Sequence, residues 1–250
     1  MGMGVLRAFG TWDILLLLVV TAQATLLAYL HAPKWKGLIL VLPIPFTLAS
    51  MAVGAQIDVA HVLGLALLLL YTHGVRLFHV VLRMPIIAAI VLSALAYILL
   101  AALLAPLLPT SETAFWIALG AVFALALAAL RLTAYRREPG HRTPLPVWLK
   151  APIIMGVIFL LILSKKTLQG FIVTFPMVGL VAAYEARHSL WTVCRTMAAF
   201  ILCGAPMMAA AHLAYPHIGL PGSLAVGWGV FLCGLAPLIC FMWRQDKEAP

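Results

Sequence analysis

The chain has 250 residues, of which 65% are hydrophobic and only 9% charged, and its net charge is +9. A soluble domain carries roughly a quarter charged residues, so a water-facing globule is excluded. The bases stand in short loops between apolar runs and form no aromatic-interleaved stripe, which excludes nucleic acid as a partner.

Runs such as Ile14 to Leu27 and Ala114 to Leu130 show no period-two alternation, so they do not read as barrel strands. About 20 apolar residues span the hydrocarbon core as a helix, which satisfies its own backbone polar groups there. The expected fold class is therefore all-α, a polytopic transmembrane helical bundle of about nine helices.

In chain order, Met1 to Thr11 holds one arginine and leads into an apolar run with no convincing cleavage site, so the first helix reads as retained. The expected spans are Asp13 to Leu30, Lys36 to Val53, Ile57 to Thr72, Met84 to Leu107, Ala114 to Ala134, Trp148 to Leu163, Leu168 to Tyr184, Leu190 to Ala214 and Gly222 to Trp243. Between the fifth and sixth, Tyr135 to Val147 resembles a linker. This divides the chain into a four-helix unit over residues 1–110, a linker helix and loop over 111–147, and a second four-helix unit over 148–250.

Nine crossings place Arg7, Lys165 and Lys166 on one side and the other Lys and Arg residues on the opposite side. By the positive-inside bias, the N-terminus is expected outside and the C-terminus in the cytoplasm of a bacterial-type inner membrane. The four cysteines lie in apolar runs without metal-ligand spacing, and they read as packing residues.

A shift of 133 positions (176 − 43 = 133) lays the second half over the first. Gly37, Ile39, Pro43, Ala49, Ala66 and Leu69 then fall on identical residues. Two four-helix units separated by one extra helix form an inverted repeat, an organisation common in transporters.

Leu163-Ser164-Lys165, then Phe175-Pro176 followed by Leu180, Ala182 and Tyr184, then Arg195-Thr196 and Pro206, resemble the GlpM family of small four-helix inner-membrane proteins. The resemblance covers about residues 148 to 243. Family members are about half this length, which implies a fused, doubled form here. The first half keeps the proline signature as Leu42-Pro43-Ile44-Pro45 but lacks the Ser-Lys and Arg-Thr pairs. The resemblance implies a fold unit and supplies no reaction.

Candidate site residues follow from charge and backbone breakage. Pro43, Pro45 and Pro176 lie inside expected helices, where each removes a hydrogen bond. They mark either a central site or a simple kink. Glu185 and Arg195 flank the seventh-to-eighth turn as a candidate ion pair, and Arg195 equally reads as snorkelling to the interface. Asp58 and His61 share a helix face, as a helix start with a proton relay or as interfacial polar residues. Lys165, with Lys166, stands in an outer loop and attracts an anion or a lipid headgroup, or is a relic of duplication. His212 and His217 read as satisfied polar or interfacial groups rather than metal ligands.

No HExxH, GxSxG or phosphate-cradling loop occurs, so no catalytic residue, metal or cofactor is expected. The leading expectation is a small transporter or channel for an ion or metabolite, with anions slightly favoured. The alternative is a non-transporting subunit of an envelope polysaccharide or lipid pathway assembly, and a lipid-modifying enzyme ranks last. Expected partners are membrane lipids, the small ion or metabolite, and a second copy of the chain or a membrane-complex subunit.

Overall fold

The computed structural model describes residues 10–141, 143–144, 146–163 and 169–248. Lys165 and Lys166 lie outside the described residues. The elements are α1 (Thr11–Tyr29), α2 (Pro33–Val41), α3 (Ile44–Val53), α4 (Val59–Arg76, continued by a π turn Leu77–Val81), α5 (Ile86–Leu104, ending in a 3-10 turn Ala105–Leu107) and α6 (Glu112–Leu132). After these come α7 (Val147–Leu163), a 3-10 segment Gln169–Thr174, α8 (Met177–Glu185) and α9 (Leu190–Glu248). No strand occurs among the described residues.

Six helical stretches are long and apolar enough to cross a membrane among the described residues: Thr11–Tyr29, Pro33–Val53, Val59–Val81, Ile86–Leu107, Glu112–Leu132 and Leu190–Arg244. Val147–Phe159 and Gly170–Glu185 are shorter apolar helices. The expected second and seventh spans are each interrupted, at Pro43 and Pro176. The expected eighth and ninth spans are the two arms of α9, on either side of Gly219.

Gly219 divides α9 with φ 66° and ψ −178°, backbone that essentially only glycine adopts. The arms 190–218 and 220–248 then pack antiparallel. Phe200 meets Phe231 with ring centroids 6.0 Å apart, and Gly227 lies against Met207 while Gly234 lies against Cys203.

Burial is distributed as a lipid solvent requires. Large side chains of α5 face outward, with Ile87 62% and Leu99 61% exposed. Meanwhile Asp13, Gln23, Lys36, His61, Lys150 and Glu185 are buried. An apolar exterior around polar interior groups suits surroundings that cannot hydrogen-bond.

The bundle has two chemically distinct ends. At one, the turn after α3 meets the start of α6 and the first arm of α9. His212 sits there with Nδ1 2.7 Å from the Ile57 carbonyl and Nε2 3.0 Å from Glu112, its ring stacked on Phe115 at 3.9 Å. This satisfies the histidine through polar contacts, as its sequence position suggested.

The opposite end gathers every described Lys and Arg side chain, from Lys34 and Lys36 through Arg76, Arg83, Arg131, Arg136, Arg137, Lys150, Arg187 and Arg195 to Arg244. Arg76 stacks over Trp191, 4.2 Å from the ring centroid. At this end Trp191 Nε1 donates to the Ala134 carbonyl at 2.6 Å, and the Thr143 N–H donates to Glu185 at 3.2 Å.

Candidate functional site between two broken helices

Pro43 ends α2 and opens α3. Its φ of −78° and ψ of 35° turn the chain between the two half-helices. Without an N–H it gives nothing to the Ile39 carbonyl four residues earlier. Gln23, from the middle of α1, supplies the donor instead: its Nε2 lies 2.8 Å from that carbonyl and 3.4 Å from the Leu42 carbonyl. Pro45 falls in the first turn of α3, where a missing N–H costs nothing, so it starts a helix and does not break one.

At the second break the carbonyl four residues before Pro176, that of Ile172, accepts from the Phe175 N–H at 3.2 Å. Pro176 caps α8 with φ −73° and ψ 56°. Before it the chain is 3-10, and the Phe171 carbonyl accepts from Tyr97 Oη of α5 at 2.9 Å. Tyr97 also meets the Thr174 hydroxyl at 3.0 Å. The half-helices after the breaks begin at Ile44 and Met177, again 133 apart (177 − 44 = 133).

The breaks face each other across a cavity of about 50 Å³. Its wall contains Leu40 and Val173, Leu42 and Phe175, Pro43 and Pro176, Pro45 and Val178, and Phe46 and Gly179. Each of these pairs is related by the same offset.

The glycines matched in sequence make reciprocal close approaches. A Cβ at Gly37 would stand 3.0 Å from the Thr196 side chain of α9, and one at Gly170 would stand 3.0 Å from Ala60 and His61 of α4. Each half thus lays its broken helix on a helix of the other half.

A larger cavity, of about 190 Å³, lies at the cationic end between α2, both arms of α9 and the 135–138 segment. Arg195 is on its wall and donates to the Thr133 carbonyl. Glu185 does not pair with Arg195, as the turn between them had suggested. Its carboxylate meets Lys150 Nζ at 2.9 Å, and its carbonyl accepts from Lys36 Nζ at 2.7 Å. Lys36 also donates to the His141 carbonyl at 2.7 Å. These contacts join α2, α7, α8 and the His141 backbone in one polar cluster.

Asp58 and His61 lie at the other end. Asp58 caps α4, accepting from the N–H groups of Ala60 at 2.9 Å and His61 at 3.3 Å. Its Oδ1 is 2.7 Å from His61 Nδ1. Partial burial raises the Asp58 carboxyl, but the hydrogen bonds from His61 and the backbone outweigh it and hold the group below its ordinary value. His61 is buried, and its Nε2 has no hydrogen-bond partner among the described residues.

The site residues read from the sequence therefore separate into three places. Pro43, Pro45 and Pro176 line the central cavity, Glu185 and Arg195 belong to the cationic end, and Asp58 and His61 belong to the opposite end. Gln23, Tyr97 and Lys36 were missed. For Gln23 and Tyr97 the signal was a polar side chain in a largely apolar run, whereas Lys36, close to Lys34 at the start of α2, carried no such signal. No cluster of three or more His, Cys, Asp or Glu side chains suited to a metal occurs among the described residues.

Comparison with protein-family models, curated proteins and solved structures finds no match.

Proposed function

We propose that this chain is a small membrane transporter or channel, in which two inverted four-helix units enclose a central site for a small ion or metabolite. The observation that carries the reading is the meeting of two proline breaks, 133 residues apart, across one cavity. Discontinuous helices at corresponding positions of two repeats leave backbone groups directed at a substrate near the midplane.

Helix boundaries support the repeat. The starts of α1 and α7, of α3 and α8, of α4 and α9, and of α5 and the second arm of α9 recur at offsets close to 133. Counting the arms of α9 separately, and each broken pair once, gives nine crossings. The odd α6 turns the second unit over. The cationic end, with no described Lys or Arg at the other, supports a cytoplasmic C-terminus and an outside N-terminus in an inner membrane.

Those cations, with Lys165 as an outer attractor, favour an anionic substrate. The GlpM-like doubling belongs to this proposal. Thr196 of the Arg195-Thr196 pair packs on Gly37, which gives that pair a structural role. The chain is read as a carrier or pore and not as an enzyme.

The test has two parts. Single cysteines replacing Lys34 and Lys166, labelled with an impermeant reagent, should report opposite faces. Purified protein in liposomes should then move at least one member of a panel of small anions and cations, and Gly37→Leu should abolish the flux. Opposite faces without flux across the panel would leave the inverted architecture and favour a non-transporting subunit, detected as a stable co-purifying partner.

A further inference from the structure

We propose that the cavity of about 190 Å³ at the cationic end holds the phosphate headgroup of an anionic bilayer lipid. Four lining residues are cationic: Lys34, Arg136, Arg137 and Arg195. Among the described residues, the carboxylate on the wall is that of Glu138. Its oxygens accept from the N–H groups of Trp191 and Thr192 at 3.3 and 2.7 Å, so it caps the first turn of α9. Among the described lining residues the cations outnumber the carboxylate, so the wall favours an incoming anion. Guanidinium groups present paired N–H donors that match phosphate oxygens.

The rest of the wall specifies a tail. Leu38, Val41, Leu235, Leu238 and Ile239 form an apolar side beneath the charged rim. A wholly polar anion leaves that side wet, whereas an acyl chain covers it. Volume agrees, since the cavity exceeds by more than tenfold the roughly 10–15 Å³ that one water requires.

Level in the membrane agrees as well. Trp35 and Trp243 meet edge to face at 5.1 Å, and Lys34 Nζ lies 5.9 Å from the Trp243 centroid. Tryptophan and lysine gather where helices cross into the headgroup layer. Basic pockets between helices on the cytoplasmic side suit anionic headgroups. The site does not depend on the chain transporting anything.

The same chemistry would accept a soluble phosphate, and the experiment separates the two sources. Purified, delipidated full-length chain in detergent is titrated with phosphatidylglycerol or phosphatidylcholine and read by native mass spectrometry. One phosphatidylglycerol should be retained at about tenfold lower concentration than phosphatidylcholine.

Arg136 and Arg137 are exposed, so replacing them leaves the core intact. Arg136→Gln with Arg137→Gln should remove the preference, while Arg83→Gln, outside the cavity, should retain it. Displacement of the bound lipid by excess inorganic phosphate supports the phosphate site and assigns its natural ligand to the soluble phase; persistence assigns it to the bilayer. Equal retention of both lipids, or equal loss in the Arg83 variant, overturns the site. Liposome flux is scored separately, so failure of transport is distinguishable from failure of this site.

Discussion

Gln23 donates to the Ile39 carbonyl at 2.8 Å, the acceptor that Pro43 leaves without its helical partner. One helix thereby repairs the backbone of another. In hydrocarbon no water replaces the missing donor, so the broken helix depends on a side chain sixteen residues earlier.

Gln23→Leu fills similar volume and removes the donor. A buried carbonyl left unsatisfied costs about 1–3 kcal/mol. The expected result is a lower thermal unfolding midpoint in detergent, together with reduced flux in whatever transport assay the wild type supports. An unchanged midpoint would show that the Ile39 carbonyl finds another donor.

Gly64 of α4 faces the 3-10 segment so closely that an added Cβ would stand 1.8 Å from Thr174 Oγ1. Gly64→Ala must therefore push the second break away from α4. Overpacking of this kind costs about 1–3 kcal/mol or more. Combining it with Thr174→Ala should recover part of the loss, measured as the unfolding midpoint of the double variant against each single one.

The Lys150–Glu185 pair is buried on both sides. Removing one partner strands the other charge, at a cost of about 3–5 kcal/mol. Lys150→Met alone and Glu185→Gln alone should each destabilise strongly. The double variant should lose less than the sum of the two, and a double-mutant cycle measures that difference. Strict additivity would mean the two charges act independently.

Asp58 gives the chain an acid sensitivity at the end opposite the cations. Its carboxyl is held below its ordinary value, so its contribution is complete above the unfolded value of about 4 and disappears as pH falls through the lower folded value. The carboxylate is 63% exposed, so this contribution is modest. Asp58→Ala also removes the cap, worth about 0.5–2 kcal/mol. The variant should be less stable at pH 7, and its stability should fall less steeply below pH 4, as followed by thermal melts across pH.

The start of α4 at Asp58, the interruption at Pro43 and the interruption at Pro176 were legible because each depends on local chemistry: a carboxylate offered to free N–H groups, or a ring that lacks a donor. The partner of Glu185 was not legible. Arg195 lies ten residues away in sequence and Lys150 thirty-five, yet α7 brings Lys150 to the carboxylate while Arg195 turns to the Thr133 carbonyl. The division expected between the eighth and ninth spans falls within α9, where Gly219 leaves helical geometry.

Composition and run length alone determined that this is a helical chain for an apolar solvent, because covering an exterior in leucine and isoleucine requires no knowledge of which helix neighbours which. The spacing of 133 between Pro43 and Pro176 and between Gly37 and Gly170 was likewise readable, since proline and glycine report backbone demands at their own positions. Only the tertiary structure decided that Pro43 faces Pro176, that Gln23 serves the carbonyl left by Pro43 while Tyr97 holds the Phe171 carbonyl beside Pro176, and that Arg136, Arg137 and Arg195 converge on one cavity. Those relationships depend on distances between residues far apart in the chain, and an apolar helix carries almost no sequence signal for the face it turns toward its neighbours.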